Sequence, residues 1–338
     1  MTSTLTPIEI GWIPYLNLVP FYAELRRLSG GSLNFISGHP SSVNKWLRDG
    51  VVDLAPASSI SLLNSEQLRV ALPLGIASEG PVQSVYLGLH HEHEDFWHFV
   101  RRRQLALAEL FRKQTATESI PQLAKTLVRS APNDTHLVTA PNLSMTSASA
   151  ASAALTKVLL HLWCGRDRAF RILSQAKTTV SGRMPGAESG ERSMELVIGD
   201  EALERRPEFW KILDLGQIWH EMTRLPFVFG LWQTRNSTLP EAWVKLISEA
   251  AAISQARMQI EPEVYYTDRM PVATDGSSID LRSYWSVIQY KLGSRHFKSL
   301  LLYYNLYQQV MGVQDDACVN RLVTWNKSDI FEMANSTL

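Results

Sequence analysis

The chain has 338 residues but only two cysteines, Cys164 and Cys318. Two thiols so far apart build no disulfide framework and show no metal-ligand spacing. A reducing compartment is the simplest home for them. A surplus of either charge is also lacking: 33 Lys and Arg face 33 Asp and Glu, and the formal net charge is zero. Binding to phosphate backbones needs a basic excess or stripe. The one dense run, Arg101-Arg102-Arg103, is too short to supply it, so no nucleic-acid partner is expected. No stretch approaches the roughly 18 uncharged apolar residues of a membrane span. The opening MTSTLTPIEIGWIPYLN has neither the basic nor the apolar region of a signal peptide. A cytoplasmic location without membrane contact, and no cofactor or metal, are the expectations.

What is present is an ordinary globular mix, 45% apolar and 20% charged, long enough for about two domains of roughly 150 residues. Residues 8–13 read as a buried strand, broken by Pro14, and 19–28 as a helix with Pro20 in its first turn. Residues 33–36 read as a strand. A helix capped by Ser41 or Ser42 carries Val43, Trp46 and Leu47 on one side. Strand 51–55, a loop at 56–59 and a short helix at 60–64 follow. Strands are predicted at 70–76, 82–89, 195–198, 212–215 and 226–232, and helices at 153–163, 240–259, 284–292 and 296–310. Residues 177–193 read as an exposed loop. Alternating strands and helices predict an open α/β sheet, in which ligands sit outside the C-terminal ends of strands. The order suggests a discontinuous first lobe, 1–88 plus 235–338, and a second lobe, 89–234. The chain would cross near 86–90 and again near 227–234.

Several motifs in this order resemble those of the MqnA family, the chorismate dehydratases of the futalosine route to menaquinone. Tyr15-Leu16-Asn17-Leu18-Val19-Pro20 matches its YLN-x-x-P opening. Gly50 through Asp53 with Ser58-Ser59, and Gly80-Pro81-Val82-Gln83-Ser84-Val85, match the next two motifs. Ser149 to Ser152, Ile198-Gly199-Asp200-Glu201-Ala202-Leu203, and Asp214-Leu215-Gly216 leading to Trp219, Thr223 and Leu225-Pro226-Phe227-Val228-Phe229 match the rest. Two positions depart: Arg224 stands where the family has glycine, and Ala151 where it has threonine. The stretch 90–140 looks like a family-atypical insertion. The resemblance implies a two-lobed periplasmic-binding-protein-like fold of type II with mixed sheets. It also implies an enzyme that removes water from chorismate, a small dianion, to give 3-[(1-carboxyvinyl)oxy]benzoate. A binding-protein fold without an export signal is not expected to be an ordinary periplasmic receptor.

Carried over from the family, Asn17 and Ser84 are the candidate catalytic residues. Tyr15, Ser58, Ser59, Ser149, Ser152, Gly199 and Asp200 are candidate substrate contacts. Backbone N–H groups at helix starts and small hydroxyls can hold carboxylates without a basic patch. No His or Glu stands out as a base, and the substrate's own enolpyruvyl carboxylate is the candidate. Plainer readings stand beside these. Asn17 can be a turn residue, Ser58-Ser59 and Asp200 helix caps, and residues 147–154 a flexible linker. His90, His91, His93 and His98, interleaved with acids, read as a solvated face more readily than as a metal site. Tyr303, Tyr304 and Tyr307 read as core or interface. Two rival functions remain open: a non-catalytic small-anion binding protein of this fold, and the sister enzyme of the pathway, 1,4-dihydroxy-6-naphthoate synthase. An interaction protein has only the His/Glu-rich stretch in its support. Oligomeric state is not legible.

Overall fold

The computed structural model describes residues 8–30, 33–132, 141–146, 149–165, 172–174 (backbone only), 192–235, 239–267 and 271–313. Cys318, most of the loop expected at 177–193 and residues 133–140 of the expected insertion lie outside them.

The first three strands are short, of four or five residues, and each is followed by a helix or turn. The N-terminal elements are β1 (Glu9–Trp12), α1 (Val19–Ser29), β2 (Asn34–Ser37), α2 (Pro40–Asp49), β3 (Leu54–Ser58) and β4 (Arg69–Ser78). Helix α2 starts at Pro40, after His39 and without a side-chain cap, rather than at Ser41 or Ser42. Proline's fixed φ and missing N–H suit the first helical position. The strand predicted at 51–55 is displaced: β3 runs through Pro56, and Val52 and Asp53 precede it. Pro56 is tolerated because β3 meets β1 only at Leu54, leaving that side of the strand unpaired beyond it.

The middle of the chain forms β5 (Val85–Leu89), α3 (Glu94–Gln114), α4 (Ile120–Arg129), β6 (Leu143–Met145), α5 (Ala150–Cys164), β7 (Ile172–Ser174), β8 (Met194–Ile198), α6 (Asp200–Glu204), β9 (Lys211–Asp214) and α7 (Leu215–Thr223). Then come β10 (Phe227–Thr234), α8 (Glu241–Ile260), α9 (Leu281–Ser286), β11 (Gln289–Lys291) and α10 (Ser294–Met311). The helix predicted over 284–292 is instead α9 plus a short strand, because β11 pairs antiparallel with β4.

Two mixed sheets result. One has the order β11-β4-β10-β3-β1-β2 and the other β7-β6-β8-β5-β9. The chain passes from the first to the second at 79–84, just after β4, and returns through α7. Both crossings therefore lie a few residues earlier than expected. They are tied together by Asp214. Its Oδ1 accepts from Val82 N–H (3.1 Å) and Gln217 N–H (3.0 Å), and its Oδ2 from Gln83 N–H (2.7 Å). Burial pushes this carboxyl up, against the pull of those N–H groups. Helix α10 belongs to the tail yet packs on α4 and α5. Its Tyr303 hydroxyl donates to Ala151 O (3.0 Å), and Tyr304 donates to Ser59 O.

The His-rich stretch is the expected solvated face at His91, Glu92, Glu94, Asp95 and His98, but not at His93 and only partly at His90. His93 is buried; its Nδ1 accepts from His90 N–H (3.2 Å), and its Nε2 lies 3.0 Å from Arg192 O. His90 packs against Phe209, and burial lowers its pKa. The apolar residues Phe96, Val100 and Leu107 pull the helix that follows against the core.

Candidate functional site

Beyond β1, Pro14 stops the strand and Leu16–Leu18 form one 3₁₀ turn. Two aromatic tips from the tail hold its carbonyls. Trp285 Nε1–H donates to Leu16 O (2.8 Å), and Tyr290 O–H donates to Asn17 O (2.7 Å). The Asn17 side chain lines a cavity between the sheets, and its Oδ1 is buried with no hydrogen-bond partner. A buried polar atom left unpaired costs about 1–3 kcal/mol, so a ligand that pairs with it recovers that amount.

Ser58 ends β3. Its N–H donates to Asn44 Oδ1 (2.9 Å), while its Oγ is buried and unpartnered at the cavity wall. Ser59 Oγ is likewise buried and unpartnered, but Ser59 does not line the cavity. Ser84 lies in the bend just before β5, not within the strand. Its carbonyl accepts from Gly199 N–H (2.8 Å), and its Oγ accepts from Tyr284 O–H (3.1 Å). Ser149 caps α5 by accepting from Ser152 N–H (3.3 Å), and the two hydroxyls lie 2.8 Å apart. Both line the cavity, which places the positive end of a 15-residue helix at its wall.

Tyr15 and Gly199 face each other across the cleft. Gly199 has φ +67° and ψ −145°, and an added Cβ would lie 2.8 Å from Tyr15 Cζ. Burial, with the negative charges of Asp200 and Glu201, pushes the Tyr15 phenol up to about 12. Asp200 does not line the cavity. Its Oδ1 accepts from Leu16 N–H (2.9 Å), joining the second lobe to the first. Burial raises this carboxyl to about 6.

The cavity holds about 70 Å³ and contains no Lys, Arg, His, Asp or Glu among its lining residues. Its floor is apolar, with Ile13, Leu18, Ile76 and Phe229. Sites for small molecules usually span about 300–1,000 Å³, so this cleft is narrow. Of the nine predicted site residues, Tyr15, Asn17, Ser58, Ser84, Ser149, Ser152 and Gly199 share this cavity. A wider groove of about 1000 Å³ beside β9 holds none of them. Sequence reading missed Tyr284, Trp285 and Tyr290, because aromatics in a tail give no local sign of which loop their polar tips will reach. Among the described residues no group of three His, Cys, Asp or Glu is placed to hold a metal ion.

Two α/β lobes, joined by two crossings with a cleft between them, define a periplasmic-binding-protein-like fold. The nitrate-binding protein NrtA from Synechocystis PCC 6803 is similar, with TM-score 0.56 and 11% identity over 99% of this chain and 89% of that one. So is the alkanesulfonate-binding protein SsuA from Xanthomonas axonopodis pv. citri, bound to MOPS, at TM-score 0.55 and 10% identity over 94% and 97%. Protein AF1704 from Archaeoglobus fulgidus follows at TM-score 0.53 and 11% identity over 92% and 99%. A comparison with curated proteins gives no match. The menaquinone biosynthesis family model matches residues 8–107 and 123–309. The chain belongs to that family, and membership makes it an enzyme of menaquinone biosynthesis. Within the expected insertion, only 108–122 falls outside the match.

Proposed function

We propose that the chain is a chorismate dehydratase, taking the C3 proton and the C4 hydroxyl from chorismate as water. The observation that carries this reading is the lining of the cleft. Asn17 and Ser84 share one cavity with Ser58, Ser149, Ser152 and the start of α5, and no charged side chain lines it. Such a site suits a dianion whose carboxylates are met by hydroxyls and helix-end N–H groups. Aromatisation drives the reaction, so orientation and modest acid–base help suffice. With no carboxylate or imidazole in the lining, the substrate's enolpyruvyl carboxylate takes the C3 proton. Asn17 orients the ring, and Ser84 donates to a carboxylate or to the leaving hydroxyl. Closure of the lobes excludes water and strengthens these hydrogen bonds.

Incubating the purified chain with chorismate and following the aromatic product tests the reading. Asn17→Ala and Ser84→Ala should each cut turnover by about 10²- to 10³-fold. Binding of chorismate without product would mark a binding protein, and turnover of cyclised futalosine would mark the sister enzyme. Full turnover of a bound analogue lacking the enolpyruvyl carboxylate would sink the substrate-as-base step.

A further inference from the structure

We infer that Tyr284 is a positioning residue that commits the Ser84 hydroxyl proton to the ligand. The inference rests on the reading of the cleft as the dehydratase site and deepens it. A serine hydroxyl has one proton to give and two lone pairs to receive. Ser84 Oγ has two neighbours of the right kind. Tyr284 O–H is at 3.1 Å and points into a lone pair. Val82 O, at 3.5 Å, sits at the outer limit for accepting the proton. Tyr284 is fully buried, and burial holds its phenol well above the ordinary tyrosine range, so it stays a donor. With that donor in place, a ligand oxygen arriving in the cavity is the best acceptor left for the serine proton.

The surroundings keep this geometry. Asp214 holds the Val82 and Gln83 N–H groups, and Gln83 takes φ +65°, which turns the chain sharply just before Ser84. Gly199 N–H holds the Ser84 carbonyl. On the other side, Tyr284 sits in α9 beside Trp285, whose indole holds Leu16 O, and ahead of Tyr290, which holds Asn17 O. One short tail segment thus braces the backbone or side chain of both candidate catalytic residues.

A double-mutant cycle tests the assignment. Tyr284→Phe keeps the ring and removes only the donor. It should lower kcat on chorismate roughly tenfold with KM within about twofold, as expected for a donor acting at one remove from the reacting oxygen. If Tyr284 works through Ser84, the Ser84→Ala/Tyr284→Phe variant should be no slower than Ser84→Ala alone. Multiplied losses, or full activity of Tyr284→Phe, would overturn the inference. A second measurement needs no substrate. In Ser84→Cys, thiolate absorbance against pH should show the thiol at position 84 titrating about one unit lower than in Ser84→Cys/Tyr284→Phe, because a hydrogen bond favours the thiolate. Equal titrations overturn the inference whatever the turnover. A clear difference together with a wild type inert to chorismate keeps the brace and discards the reaction.

Discussion

Gly199 shows how one residue links motif and geometry. The Ile198-Gly199-Asp200 turn is visible in the sequence, but its reason is not. With φ +67° and ψ −145° it occupies backbone space that side chains rarely enter, and Tyr15 lies flat where a Cβ would stand. Gly199→Ala should cost about 2–3 kcal/mol in denaturant unfolding, from backbone strain and a forced shift of Tyr15. A loss under about 1 kcal/mol would mean that the ring yields freely. Short motifs singled out Asn17 and Ser84, and both line the cavity. Asp200 was legible as important but was given a ligand-contact role, whereas its carboxylate receives the Leu16 N–H from the other lobe. Hydrogen bonds between residues 184 apart in the chain leave no local pattern to read.

At the scale of elements, helix spacing was read well where an apolar face ran for several turns, as in α8 and α10. It failed where pairing decided. Residues 289–291 became a strand because β4 offered an open edge, and β3 ran on through Pro56 because one side of it needs no donor. Residues 212–215 were read as a strand, but β9 ends at Asp214, whose side chain caps helix α7 from Leu215 onward. Its far end explains a departure from the family motif. Arg224 is the C-cap in the left-handed region at φ +57°, where a glycine costs nothing sterically. Its backbone N–H donates to His220 O (2.8 Å) and its carbonyl accepts from Arg295 Nη2 (2.6 Å), both groups that a glycine keeps. Arg224→Gly should therefore leave the fold intact. It should raise stability by up to about 1 kcal/mol, the relief of left-handed strain less the entropy glycine gains when unfolded. Thermal melts of the two proteins check this, and a lower Tm for the variant would show that the Arg224 side chain contributes more than the backbone relief returns.

At the scale of the molecule, the two lobes meet through a titratable group. Asp200 sits at the junction. Burial, opposed by the Leu16 N–H and aided by the nearby Glu204 charge, raises it from 3.8 to about 6. The Tyr15 and Tyr284 phenols both feel the Asp200 charge. A carboxyl with a raised folded value binds its proton more tightly folded than unfolded. The stability from that difference is fully present below the unfolded value and is lost as pH rises through about 6. An open form that returns Asp200 to water obeys the same linkage, so acid favours the closed lobes. Asp200→Asn keeps an acceptor for Leu16 N–H and removes the titration. The stability of the wild type relative to this variant should fall between about pH 4 and pH 7 and then level off. Half-buried His90 and His296 and buried Glu195 also have shifted pKa values, but they are common to both proteins and cancel in the difference. Denaturant melts of the pair across that range decide the matter: a difference that stays flat, or rises with pH, would mean that the Asp200 carboxylate is at least as well stabilised in the folded chain as in the unfolded one.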